Sequence, residues 1–504
     1  MMDSVTGRLG AAMMWSVVAR SGRFVLGLAS SVIVVRSLGD YDYGVLSLVR
    51  TFLMYVLIVA GAGLGQALLK FLPSLRVARN ASAARTLVRN VAAANLLIWL
   101  LLTVLAWATR GAIENVFGLP GLGVAVTAAV ALSLFEIFFT FVSQILNANY
   151  DTKLLSVASV ASHIVYIVAL LLVLPRGWGV VGVVAAGALG NAAACLVLIR
   201  RLRAAVEPAA AELPAETISL GRLARFSVPF AVIGVLNLIV WRQSETMFLA
   251  YFRTASETGF FDLAYRVPQT ILEFVPGTVW PLVMAGFSEV YSRDRGSIRD
   301  AIDRYYRMLF LLCAPFCVTG MVLGGQMIPI LFGEAMRPAA WPTQAFFGVL
   351  TISFFGTPLS MALYVMEKTH VNLIIYLCLA AVNVLLDLLL IPRFGVAGAV
   401  LPVGVVMLLS VFIYRIVVGR YVNDLRVPGR FIGKCFLASG GTLLLVPFLR
   451  FIDDLPSLLA AVVVAVIVTG LGFKLVRVLG KDEIAMLEAV PIPLAARVLK
   501  FIAS

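Results

Sequence analysis

The sequence predicts an all-α polytopic membrane protein of about fourteen transmembrane helices, and three observations carry that prediction. Of its 504 residues 61% are hydrophobic and 13% charged, against about half and about a quarter in soluble domains. Runs such as 95–109, 154–174 and 455–473 approach or reach the ~20 apolar residues that cross a ~30 Å hydrocarbon core at 1.5 Å per residue. These runs lack the alternating polarity over roughly ten residues that a spanning strand shows, which excludes a β-barrel.

Apolar runs bounded by charge, Pro and Gly mark the spans in order. The first, 11–35, follows Arg8 and contains Arg20 and Arg23; no small-residue cleavage site follows it, so it reads as a retained helix and not a signal peptide. The second, 43–69, lies beyond the polar segment 36–44 and carries Gly61, Gly63 and Gly65. Spans 91–109, 121–146, 154–174 and 178–199 complete a first group of six, the last two separated by Pro175-Arg176-Gly177. Spans 226–250, 258–288, 308–333, 341–366, 371–391 and 394–414 form a second group, with Pro229, Pro268, Pro276, Pro281, Pro315, Pro329 and Pro358 as places where helices can bend. Spans 431–449 and 455–473 follow, and 481–504 reads as a cytoplasmic or interfacial amphipathic tail interrupted at Pro491 and Pro493.

The loops set the topology. With the N-terminus inside, 28 of the 40 Lys and Arg fall in inside segments, seven in outside loops and five within spans. Such a bias places both termini in the cytoplasm. It also accounts for much of the +14 net charge, so the basic loops orient helices and attract anionic membrane lipid, and nucleic acid is not an expected partner. The outside loops are about a dozen residues or fewer, which leaves no room for an extracellular domain.

A repeat organises the chain. Leu174-Pro-Arg-Gly-Trp-Gly is echoed by Ile391-Pro-Arg-Phe-Gly, and Arg36, Gly44 and Arg50 by Arg253, Gly259 and Arg266, at an offset of about 216 residues. That offset covers six helices, an even number, so the halves share one orientation about an axis along the membrane normal. The expected domains are a six-helix bundle over 1–210, a second over 211–425, two additional helices over 426–480 and the tail from 481.

Function is sought where charge enters the membrane, because one charge at a helix centre costs ~2.5–3.5 kcal/mol on the insertion scale. Arg20, Arg23, Arg50, Arg242 and Arg266 lie within spans of the first hairpin of each half, and are expected to line a basic chamber. Guanidinium groups bind phosphate in a bidentate manner, so the expected cargo is an anion, with pyrophosphate a candidate. The competing reading is structural pairing: Arg266 with Glu273 or a carbonyl, and Arg242 with Glu245 three residues on. Glu136, Glu245, Glu273 and Asp387 are candidates for coupling a cation or neutralising an arginine. Asn383 and Asp387 sit four apart on one helix face and offer oxygen ligands to sodium, whereas their repeat counterparts Tyr166 and Leu170 do not. Cys195, Cys313, Cys317, Cys378 and Cys435 lack CxxC spacing and read as packing residues, and His163 and His370 as structural. No phosphate-binding loop or hydrolase, metalloprotease or kinase motif occurs, so neither ATP drive nor an enzyme is expected.

With these residues in view, the chain resembles the bacterial polysaccharide transporters, oligosaccharide-lipid flippases of the multidrug/oligosaccharidyl-lipid/polysaccharide superfamily. The resemblance spans nearly the whole length and rests on Arg36-Ser-Leu-Gly-Asp-Tyr-Asp-Tyr-Gly44, Arg225-Phe-Ser-Val-Pro229, Thr258-Gly-Phe-Phe-Asp-Leu-Ala-Tyr-Arg266 and the Pro-Arg-x-Gly loops at 175 and 392. It implies two six-helix bundles in the inner membrane that move undecaprenyl-diphosphate-linked oligosaccharide to the outer leaflet by alternating access, driven by an ion gradient or the membrane potential. Glycosyltransferases and a glycan polymerase are the implied partners. The lipid II flippase branch, similar too, implies Arg23, Arg50 and Arg266 as cavity residues and Glu245, Asn383 and Asp387 as a sodium site; the chain departs from that site's pattern at Val403 and Gly404. Sodium or a proton is the expected coupling ion. Two rivals differ in testable ways. A cation-coupled multidrug exporter of the same superfamily would favour an acidic chamber, and a membrane-embedded glycan polymerase or ligase would need a large catalytic outside loop.

Overall fold

The computed structural model describes residues 2–77, 80–148, 152–206, 219–240, 244–478 and 480; the expected tail and Arg242 lie outside them. Among the described residues the secondary structure is helical throughout. Twelve stretches, beginning with Arg20–Pro73 and ending with Leu455–Leu475, are long and apolar enough to cross a bilayer. The first is 54 residues, or ~80 Å at 1.5 Å per residue, more than twice the ~30 Å core. It is accordingly broken, at Gly39 (φ 75°, ψ −173°) and again at Ala62 (φ 41°) and Gly63 (φ 67°). With the further 39-residue helix Ala255–Arg293, the chain is an all-α polytopic membrane protein with about 12–14 long apolar helices.

The chain forms two compact units, Met1–Gly259 and Phe260–Ser504. The first holds α1 (Met2–Gly61), α2 (Leu64–Val77), α3 (Ala81–Phe117), α4 (Leu122–Leu132), α5 (Leu134–Ala148), α6 (Thr152–Val173), α7 (Gly179–Val206), α8 (Leu220–Leu238), α9 (Ser244–Phe252) and the first turn of α10 (Ala255–Arg293). Here α1 packs on α4 and α6, α6 on α7, α2 and α7 on α5, and α8 on α1 and α2. Asn80 caps α3 through its side-chain oxygen and Ser219 caps α8, each accepting a first-turn N–H that would otherwise be unpaired. Gly44 lets α1 approach the start of α10: a Cβ there would lie 1.7 Å from the Ala255 carbonyl oxygen.

The second unit holds the rest of α10, then α11 (Ile298–Phe332), α12 (Ala340–Val365), α13 (Thr369–Phe394), α14 (Val396–Gly419), α15 (Gly429–Ser439), a 3-10 helix (Gly440–Phe451) and α16 (Leu455–Leu475). α12 packs on α11 and α14, and α13 on α14, while α15 and α16 pack on each other and on α11. The span expected at 431–449 is therefore α-helical only to Ser439 and continues as 3-10, from Gly440-Gly441 through Pro447.

What lipid would cover is legible in the exposure. Leu96, Leu97, Leu100, Leu101, Val104 and Leu105 on α3 are each 50–60% exposed, and Leu459, Val463, Val466 and Ile467 on α16 are each 56–67% exposed. Continuous apolar faces of this kind are costly in water and neutral against acyl chains. Polar side chains inside the spans bond to their own helix instead: Ser47 donates to the Tyr43 carbonyl, Thr51 to Ser47 and Thr351 to Phe347.

Candidate functional site

A cavity of about 290 Å³ opens within the first unit. Its polar lining is Arg50 from α1, Ser133 and Glu136 at the start of α5, Ser162, His163 and Tyr166 from α6 and Asn191 from α7; Leu46, Leu53, Val183 and Val184 supply apolar wall. Helical spacing explains the grouping. Tyr166 lies four residues after Ser162 and three after His163, which brings the three to one side of α6, and Leu46, Arg50 and Leu53 are likewise three to four apart on α1. Around the rim the polar groups engage one another: Ser162 Oγ lies 3.5 Å from Asn191 Oδ1, and His163 Nδ1 lies 3.0 Å from the Ser159 carbonyl oxygen. Arg50 and Glu136 are half-buried, and among the described residues neither makes an ion pair or a side-chain hydrogen bond. The cavity thus holds one guanidinium and one carboxyl group, unpaired, inside an apolar bundle.

Its repeat mate is treated differently. In the second unit Arg266 donates from Nε to Asp262 Oδ2 at 3.2 Å and from Nη2 to Asp262 Oδ1 at 2.9 Å, a fork on a carboxylate one turn back. Arg266 is thus paired with Asp262, and Glu273 is exposed and accepts from Gln269 Nε2 at 2.9 Å. At the repeat offset Asp262 falls on Leu46, so the carboxylate that serves Arg266 has an apolar counterpart beside Arg50.

The other expected residues are placed as follows. Arg20 is half-buried and Arg23 exposed on α1, both outside the lining of the cavity. Glu245 is 2% exposed on α9, in the first unit. Asn383 and Asp387 on α13, in the second unit, are fully buried, and Asn383 Nδ2 donates to Asp387 Oδ2 at 3.4 Å. Among the described residues no three His, Cys, Asp or Glu side chains come together as a metal centre. Asp262, Ser133, Ser162 and Asn191 were not among the expected site residues, and Tyr166 and His163 appear in the cavity although the sequence offers no carboxylate or ligand motif at either. Only Asp262 had a readable signal, its i−4 spacing from Arg266.

These features define a class: an all-α polytopic membrane protein with a cavity that holds charged side chains inside an apolar bundle. The fold is similar to that of the lipid II flippase MurJ in an inward closed conformation, with a TM-score of 0.74 at 16% identity, covering 92% of this chain and 98% of that one. It is similar also to an inward-facing MATE family multidrug resistance transporter of the MOP superfamily, with a TM-score of 0.65 at 16% identity over 80% of this chain and 98% of that one. A MATE transporter of Vibrio cholerae, VcmN, gives a TM-score of 0.60 at 15% identity over 83% of this chain and 97% of that one. A search of curated proteins finds no match. The family described as polysaccharide biosynthesis protein matches residues 33–340, and the chain belongs to that family.

Proposed function

We propose that the protein is a flippase, not an enzyme: it carries undecaprenyl-diphosphate-linked oligosaccharide from the inner to the outer leaflet of the bacterial cytoplasmic membrane for surface polysaccharide synthesis. The observation that carries the reading is the Arg50 cavity, a guanidinium held inside an apolar bundle without a carboxylate one turn away. Such a charge costs free energy unless something anionic meets it, and a lipid-linked diphosphate supplies that charge where its acyl chain can stay in the bilayer. Family membership and the likeness in fold to a lipid II flippase support the same cargo class.

In this reading two pseudo-symmetric six-helix bundles alternate between inward- and outward-open states, α15 and α16 are an appendix, and both termini are cytoplasmic. Arg20, Arg23, Arg242 and Arg266 join Arg50 in guiding the headgroup. Glu136, Glu245, Asn383 and Asp387 are the candidates for coupling sodium or protons. Glycosyltransferases and a glycan polymerase act before and after it, and membrane lipids surround it. The likeness to multidrug transporters in fold favours a second reading, export of a cationic drug; the arginine in the cavity argues against it.

The test is depletion followed by measurement of lipid-linked oligosaccharide in each leaflet. Accumulation on the cytoplasmic side, corrected by the wild-type chain and not by Arg50→Ala, is the expected result. An unchanged leaflet distribution would overturn the proposal.

A further inference from the structure

Arg50 and Glu136 are the two strongly charged residue types in one cavity, and its charge balance permits only certain combinations. Empty of ligand, a guanidinium and a carboxylate leave the cavity neutral. An anion bound to Arg50 adds negative charge beside Glu136, where the apolar walls Leu46, Leu53, Val183 and Val184 screen poorly. The least costly way to lower that added negative charge is for the carboxylate to take up a proton, which removes one unit of it, and the protonated group still offers an O–H donor to the anion. Arg266 has no such dependence, since Asp262 accompanies it on its own helix.

We infer that anion binding at Arg50 and protonation of Glu136 are linked: the cavity binds a tetrahedral dianion together with one proton, carried on the Glu136 carboxyl. This rests on the reading of Arg50 as an anion contact and adds the coupling to it. Linkage is reciprocal, so a falling pH raises anion affinity by the same factor as the anion raises proton affinity.

The other groups facing Glu136 are few. From α1 comes Arg50, and from α6 come His163 and Tyr166; α4 and α7 contribute apolar residues and Asn191, and α2 and α3 contribute no residue to the lining. His163 is the one rival proton acceptor. Its Nδ1 is beside the Ser159 carbonyl, which fixes the proton on that nitrogen and leaves Nε2 able to accept. Tyr166 contributes a phenolic hydroxyl to the same lining.

The experiment uses the purified full chain in detergent with inorganic sulfate, a dianion that does not titrate in the range studied, so any proton taken up belongs to the protein. Calorimetry in buffers of different ionisation enthalpy counts protons. The wild type is expected to take up close to one proton per sulfate, with affinity rising up to about tenfold per unit fall in pH. Glu136→Gln, which keeps shape and mimics the protonated group, is expected to bind sulfate at high pH as tightly as the wild type does at low pH, with no proton uptake. His163→Gln is expected to retain the uptake. Arg50→Ala loses sulfate binding. Sulfate binding without proton uptake, or uptake abolished by His163→Gln and not by Glu136→Gln, overturns the linkage and leaves the flippase reading standing. Absence of any Arg50-dependent sulfate binding removes the anion contact itself, and the linkage with it.

Discussion

The Arg266–Asp262 fork makes a quantitative prediction, because the two partners are unequally buried: 29% of the arginine side chain is exposed and 5% of the aspartate. Two bonds of 2.9 and 3.2 Å correspond to a gross attraction of about 5 kcal/mol at an effective dielectric of about 20. Desolvation of a nearly buried carboxylate and screening of the partly exposed guanidinium take back much of it, leaving a coupling of about 2 kcal/mol. The perturbation is a double-mutant cycle of Arg266→Met, Asp262→Asn and the pair, followed by unfolding of the purified protein in mixed micelles. Arg266→Met removes the guanidinium from a carboxylate that is 5% exposed and is expected to cost about 3 kcal/mol. Asp262→Asn strands a guanidinium that can turn toward water, and is expected to cost about half that. The double variant should recover most of the loss. A coupling below about 0.5 kcal/mol, or Asp262→Asn costing more than Arg266→Met, would refute the assignment of Asp262 as the partner that lets Arg266 sit in the membrane.

Three further outcomes are expected. Gly44→Ala places a Cβ 1.7 Å from the Ala255 carbonyl oxygen, a backbone atom that cannot rotate away, so folded protein should be largely lost on size-exclusion chromatography; Gly27→Ala, with nothing within 4 Å, should be neutral. If Asn383 and Asp387 hold sodium, the protein's melting temperature rises with sodium chloride and not with choline chloride, and Asp387→Asn abolishes the difference; equal response to both salts dismisses the site. At the start of α16 the Ser457 hydroxyl and main-chain N–H hold the Asp454 carboxyl below its ordinary range. A depressed folded-state value means the cap's contribution is present above the unfolded value and lost as pH falls through the folded one. Hydrogen exchange in the first turn of α16 should therefore be faster in Asp454→Ala than in the wild type at neutral pH, and the two should converge in acid.

Most of the helices were legible because membrane spans are written in one dimension: a run of apolar residues, a stop, another run. The misread places are those where a polar residue does not stop a helix or an apolar one does not continue it. Residues 36–44 carry three charges and read as a loop, yet only Gly39 leaves helical geometry, since charged side chains at a membrane surface need no change of backbone. The span read at 121–146 is one apolar stretch, Leu122–Ala148, whose helix is interrupted at Ser133, where Oγ donates to the Val130 carbonyl. Gly440-Gly441 and Pro447 signal a weak helix, and the 3-10 geometry there is the form that signal takes when α16 packs alongside.

The site divides along the same line between local and long-range information. Asp262 was within reach, four residues before Arg266 in a segment already singled out, because a helix converts that spacing into contact. Glu136 and Arg50 are 86 residues apart, and nothing in a single sequence announces that α5 and α1 open onto one cavity. The repeat adds information here only through its failure. The sequence echo reproduces the arginine. It does not reproduce the aspartate, for which Leu46 stands in the first half. A carboxylate on the same helix would have neutralised Arg50 permanently; one delivered from another helix can be neutralised in turn by a proton. On the linkage proposed above, the variable charge is that of Glu136 in the first unit, whereas the Arg266–Asp262 pair of the second is fixed.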